Sequence, residues 1–196
     1  MFYALRNLFA LIGLVAVIFA ICVAVKMAPM MSTFESFDEK ALDVYMDMME
    51  KIVETGNAAE ATVWKIPVND DLTPEDVEET MKFVANEHNI KNVGELPLSA
   101  QIEAMSGKKS RYLKIFMFCN ALTAAQMLEY SDAFSAYLPC RISMVEDKQG
   151  KLWLYSLNMD AMIYGGKTLP ADLKAEAEGV KEIILDIMNR GAEGDF

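Results

Sequence analysis

RYLKIFMF (residues 111–118), LTAAQMLEYSDAFSAY (122–137), RISMV (141–145) and KLWLYSL (151–157) follow one another in a single stretch of the chain. The first, third and fourth are short, rich in β-branched and aromatic residues and bounded by polar or turn residues, so they predict strands. The second has the length and apolar spacing of a helix, and residues 147–150 (DKQG) supply a turn between the last two strands. Working outward, ATVWKIPV (61–68) reads as another strand. Thr73-Pro74-Glu75-Asp76 then opens a helix, with a cap, proline at the first helical position and early acids, whose buried face is Val77, Met81, Val84 and Ala85. Residues 92–102 read as extended, interrupted by Pro97. After Gly165-Gly166, residues 171–189 predict a closing helix with Leu173, Ala177, Val180, Ile184, Ile187 and Met188 on one face and Gly191 as its stop. The order β-α-β-β-α-β-β-α predicts an α+β, ferredoxin-like sandwich in which two crossover units share one sheet and the helices cover one face.

The front of the chain has a different character. Residues 8–25 hold eighteen consecutive positions without a charge, among them Leu11, Ile12, Val15, Val17, Ile18, Phe19 and Ile21. At ~1.5 Å per residue they reach ~27 Å, close to the thickness of a bilayer's hydrocarbon core. A cleavable signal peptide has a shorter apolar stretch and small residues at −3 and −1 of its cleavage site, so a retained anchor is expected. Bulky Ile21 before Cys22 argues against lipid attachment there. Arg6 and the terminal amine flank one end, and beyond lone Lys26 the other end soon becomes acidic at Glu35, Asp38 and Glu39; with one basic residue on each side, the positive-inside rule gives the expectation of a cytoplasmic N-terminus with the remainder outside.

All 29 acidic residues lie after Lys26, along with 16 of the 18 basic ones, so the portion beyond the anchor carries 16 − 29 = −13 against −11 for the whole chain. Such a surface is repelled by phosphate backbones, and nucleic acid is excluded as the expected partner. The expected divisions are an anchor at 1–28, a connecting helix at 29–57 and an α+β domain at 58–196. In the connecting segment Pro29 ends or kinks the anchor, and Ser32 or Thr33 caps an amphipathic helix. Its apolar stripe, Phe34, Phe37, Tyr45, Met48, Met49 and Ile52, ends near Gly56 and suits a protein partner or a second copy of the chain. Methionines 27, 30, 31, 46, 48 and 49 have the soft thioethers that suit Cu(I), although packing is the commoner role of methionine at helical spacing.

Phe118-Cys119-Asn120, Met127-Leu128, Leu138-Pro139-Cys140-Arg141, Glu146-Asp147 and Gly150 follow in an order that resembles the bacterial family called domain of unknown function 302. Asn158-Met159-Asp160, Gly165-Gly166-Lys167 and Leu169-Pro170 resemble a branch of it found in sulfur-oxidising bacteria. Ala121 stands where the family usually has proline. The resemblance covers about 61–196 and implies a small α+β domain, often paired as a dimer, in the bacterial envelope; it carries no activity over.

Cys119 and Cys140 are the candidate thiols, with Arg141 beside them as an activating charge. They bracket a helix between two strands. A crossover of that kind leaves the strands parallel, so the cysteines are expected at opposite ends of the sheet, ~20 Å apart and beyond disulfide reach. His88, the only histidine, is expected on the surface near a helix C-terminus, so neither a catalytic triad nor a structural zinc site is expected. Gly166-Lys167-Thr168 ends like a phosphate loop but lacks the upstream glycine, and nucleotide binding is not expected. Residues 158–168 form an expected loop whose Asn158, Asp160, Tyr164, Gly165 and Gly166 are candidates for binding. No cofactor and no metal are expected. These readings lead to a non-enzymatic accessory or assembly subunit tethered in the bacterial inner membrane, with its domain in the periplasm. A thiol-redox or sulfur-handling protein is the alternative, and metal or haem binding through methionines a weaker one.

Overall fold

The computed structural model describes residues 2–196, and within them the side chains of residues 2–5, Leu8, Pro29, Met30 and Ser32 lie outside the described part. Ser32 and Thr33 do not begin a second helix as expected: both lie within the first, Phe2–Phe34, and the next starts at Ala41 after Lys40. Helix α1 spans Phe2–Phe34, and its stretch Phe9–Ala28 is long and apolar enough to cross a membrane and is buried against nothing else in the chain. The helix does not stop at Pro29 as expected. A proline removes one backbone donor and leaves the remaining hydrogen bonds of a long helix in place.

The amphipathic segment begins later than its sequence suggests. Helix α2 covers Ala41–Thr55 and ends at Gly56, whose φ of 66° is the left-handed cap that glycine adopts without strain. Phe34 closes α1, while Phe37 lies between the helices in an isolated bridge to Lys167. A short helix, α3 (Ala58–Ala61), precedes the domain.

There follow β1 (Val63–Pro67), α4 (Pro74–Glu87), β2 (Lys91–Leu96), α5 (Leu98–Ser106), β3 (Leu113–Cys119), α6 (Ala121–Tyr130), a 3-10 turn (Asp132–Tyr137), β4 (Cys140–Glu146), β5 (Leu152–Leu157), α7 (Asp160–Tyr164) and α8 (Ala171–Glu193). Thr73 caps α4 as expected, with Pro74 in its first turn, and the structure adds that Asp76 returns the hydrogen bond to make the cap reciprocal. The segment after Pro97 departs from expectation. The chain turns into α5 there, since a proline cannot donate to a sheet ladder but fits a helix start.

One five-stranded sheet runs in the order β1-β5-β4-β3-β2, and every neighbouring pair is antiparallel. Strands β1 and β2 are consequently parallel to each other at opposite edges, and α4 carries the chain across the whole sheet between them. Alternation along the strands sends Phe116, Phe118, Ile142, Met144 and Leu154 to one face, each no more than 0% exposed. Val77, Met81, Val84 and Ala85 of α4 and Ile184, Ile187, Met188 and Ala192 of α8 close that core. The intervening residues Ile115, Met117, Ser143, Trp153 and Tyr155 are only half-buried on the other face.

Two details of the core differ from expectation. Gly191 does not end α8, which continues to Glu193 with Gly194 as its left-handed cap. Gly191 is instead a point of close approach, because a Cβ there would lie 2.5 Å from Cγ of Met81 on α4. In addition, β3 to β4 is not a crossover: the strands are antiparallel neighbours. Helix α6 is only 10 residues long, Ser131 then takes an extended conformation, and the 3-10 turn brings the chain back to the same end of the sheet.

A ring of alternating charge ties α4 to the sheet. Lys114 Nζ lies 2.6 Å from Glu78 and 2.7 Å from Glu95, and Lys82 lies 2.5 Å and 2.6 Å from the same two carboxylates. Burial opposes the charge on Glu95, but hydrogen bonds from Lys114, Lys82 and Asn92 outweigh it and lower its pKa to about 2. A depressed carboxylate contributes stability above its unfolded pKa and loses it as pH falls towards the folded value. Glu95→Gln should therefore remove on the order of 2 kcal/mol at neutral pH and flatten the loss of stability between about pH 4.5 and 2, as read by urea unfolding across that range.

Candidate functional site

The return of β4 beside β3 brings the two cysteines together. Phe118 is the register partner of Cys140, so Cys119 is one residue from that pair, at the sheet end where β3 and β5 finish and β1 and β4 begin. The expected ~20 Å separation is thus corrected, because it rested on parallel strands. Both thiols are free, and burial pushes the Cys140 thiol up to about 11, with repulsion from a Cys119 thiolate adding to the effect and Arg141 opposing it. Cys140 is therefore a thiol at neutral pH rather than an activated nucleophile.

Around this end of the sheet lies an open cleft of about 300 Å3, at the lower bound of the ~300–1,000 Å3 typical of ligand sites. Helix α6 and the 3-10 turn form one wall, contributing Met127, Phe134 and Tyr137, while Met159 and Met162 enter from the α7 region. Asn120 starts α6 by accepting hydrogen bonds from the backbone of Leu122 and Thr123, and the Thr123 hydroxyl donates to Glu176 on α8 at 3.0 Å. These polar groups are thereby occupied in holding the wall in place. Among the described residues Arg141 is the only charged one in the lining.

The candidate binding segment at 158–168 contributes Met159 and Met162 to this cleft, whereas its candidate residues Asn158, Asp160, Tyr164, Gly165 and Gly166 are not in the lining and have partners elsewhere. It contains α7 rather than a continuous loop, and its residues hold the connector. Tyr45 of α2 donates to the Gly165 carbonyl at 2.5 Å, the Asp38 amide donates to the Gly166 carbonyl at 2.8 Å, and Asp38 pairs with Lys174 of α8 at 2.6 Å. Asp38 is 4% exposed. Burial raises its pKa, but hydrogen bonds from Lys174 and the Lys40 amide prevail, so the net displacement is downward. Tyr164 is buried, donates to Glu178 at 2.8 Å and has the ammonium groups of Lys40, Lys174 and Lys181 over its ring at 4.7, 5.2 and 5.4 Å. Asn158 accepts from the Asp160 amide, and Asp160 pairs with Lys181.

The interface candidates divide between two faces of the connector. Met48 and Ile52, with Ala41 and Val44, are half-buried or buried, whereas Phe34, Tyr45 and Met49 are exposed together with Leu42, Met46 and Val53. Sequence reasoning missed Leu42 and Met46 as members of that outer stripe, although their helical spacing with Met49 and Val53 was readable. His88 caps the end of α4 at the surface, 2.7 Å from Asp186. The backbone of Lys167 forms the bridge to Phe37. Among the described residues no group of three or more His, Cys, Asp or Glu side chains is placed to hold a metal.

The family model described as Domain of unknown function DUF302 matches residues 64–191, more than half of the chain. The chain belongs to the DUF302 family. The match begins in β1 and ends in α8, so it takes in the sheet, the α4–α8 layer and the cleft. A crystal structure of an uncharacterized conserved DUF302 protein from Bacillus stearothermophilus is similar in fold, with a TM-score of 0.54 and 14% identity over 66% of this chain and 97% of that one. No curated protein matches significantly. Both α1 and α2 lie before the DUF302 match.

Proposed function

We propose that this DUF302 protein is a membrane-tethered, extracytoplasmic accessory or assembly subunit of a bacterial envelope complex, acting by binding rather than by catalysis. The observation that carries the reading is the outer stripe of α2. Leu42, Met46, Met49 and Val53 are 57–79% exposed along one face, on a helix whose opposite face is fixed to the domain seven residues after α1 ends. An apolar stripe held in place this way is an association surface. Phe9–Ala28 supports the tether, Arg6 at its N-terminal flank supports the orientation, and the excess of acid beyond Lys26 supports a protein rather than nucleic-acid partner. The expected divisions at 1–28, 29–57 and 58–196 form part of this reading.

The test is photo-cross-linking in intact membranes from a residue placed at Met46 or Val53, with Glu54 as a polar control. The expected result is a discrete adduct from the first two positions and none from Glu54. Diffuse, equal labelling from all three would overturn the reading. The thiol alternative has one observation in its favour, the adjacency of Cys119 and Cys140, and the raised thiol of Cys140 against it.

A further inference from the structure

We propose that the cleft beside Cys119 and Cys140 binds a single-chain amphiphile with an anionic, carboxylate-type head, its chain among the methionine and aromatic residues and its head at Arg141. The lining specifies an apolar guest. Of its 23 residues one is charged, and the side chains of Asn120 and Thr123 already have partners within the protein. The thioethers of Met127, Met159 and Met162 are polarizable and conformationally adaptable, which suits a chain without fixed shape. The volume of about 300 Å3 is roughly twice that of the ~150 Å3 apolar cavity that accepts a benzene ring.

The head is specified by Arg141. It is exposed, and among the described residues its side chain has no hydrogen bond or ion pair, in a chain with 29 acidic side chains. A guanidinium left free at the edge of an apolar cleft is placed to take a carboxylate in a paired hydrogen-bond geometry. Ser156 marks the interior. It is 6% exposed, lines the cleft and has no side-chain partner among the described residues. Among the described residues no polar side-chain atom sealed from solvent is left unpaired, so the Ser156 hydroxyl keeps some accessible surface, and the cleft is what it opens onto. Water in a site of this composition has few partners and is readily displaced by a chain.

The inference rests on the membrane tether only for the source of the ligand, and its test separates the two. The full chain is placed in lipid nanodiscs with a long-chain fatty acid bearing a terminal diazirine, and adducts are mapped by mass spectrometry. Adducts are expected at both Phe9–Ala28 and the cleft. Cleft adducts should be competed by dodecanoate and not by dodecanol, and should fall about tenfold in Arg141→Gln, the loss expected of one charge-assisted pair. Ala124→Phe, which fills the cleft from α6, should abolish cleft adducts and leave those in α1 unchanged. Labelling confined to α1, cleft yields unaltered by Arg141→Gln, or equal competition by dodecanol would each overturn the amphiphile site while leaving the tether intact. Absence of α1 adducts with cleft labelling retained would overturn the tether and leave the site standing.

Discussion

Gly191→Val should destabilise the domain by about 3 kcal/mol, measured as a fall in the urea midpoint with an unchanged slope. The hydrogen side chain of Gly191 allows α8 to approach α4 where a Cβ would meet Cγ of Met81 at 2.5 Å and Cδ1 of Leu154 at 3.7 Å. Met81 is fully buried, and its Cγ lies close to the backbone, so it cannot swing clear as a terminal methyl could. The helices must part, and the residues between them lose contacts that a close-packed core does not recover. Alanine at the same site adds the same Cβ but gains up to ~1 kcal/mol of helix propensity, so Gly191→Ala should cost less than valine. Gly191→Val combined with Met81→Ala should recover part of the loss, because the clash lies between those two side chains. An additive double mutant would show that the close approach does not set the cost.

The second large effect is expected at the connector. Gly165→Ala brings a methyl to 2.3 Å from the Ala161 carbonyl oxygen and 3.2 Å from the Tyr45 hydroxyl, and the first of these contacts is backbone and cannot yield. Asp38→Ala leaves the Lys174 ammonium without its 2.6 Å partner. Each should weaken docking of α2 by about 1.5–3 kcal/mol, as loss of a hydrogen bond to a charged group does, without unfolding the sheet. Hydrogen exchange should show faster opening in α2 and unchanged protection in β3 and β4. The depressed carboxylate of Asp38 predicts the same release in acid. Its contribution is complete above the ordinary carboxylate range and disappears as pH falls through the lowered value. If Asp38→Ala left α2 protection unchanged at pH 7, this pair would have no part in docking.

These two sites also show how differently parts of the molecule are encoded. The Thr73 to Asp76 cap, the period-two strands at β3, β4 and β5, and the apolar face of α8 arise from neighbours in sequence, so local chemistry identifies them. Gly191 looked like a helix stop, because nothing near it in the chain reveals that Met81, 110 positions earlier, occupies the space beside it. Residues 158–168 had the composition of a ligand loop. The carbonyls of Gly165 and Gly166 accept from Tyr45 and Asp38, more than 100 residues away, while Tyr164 and Asp160 pair with Glu178 and Lys181 of α8.

The greatest divergence concerns the cleft. Its residues were individually visible, and Cys119, Cys140 and Arg141 were singled out, but a helix between two strands is compatible with either parallel or antiparallel pairing. The extended conformation at Ser131 and the returning 3-10 turn select the antiparallel one, which places both cysteines, Met127 and Arg141 at one end of the sheet. By itself the sequence determined a helix long and apolar enough to span a membrane, the acidic α+β domain, its family and most strand and helix positions, because hydropathy, capping and periodicity act over a few residues. Only the tertiary structure decided which strand ends meet, where a glycine is indispensable and which surfaces remain open, because those depend on chain direction and on contacts between residues far apart in the chain.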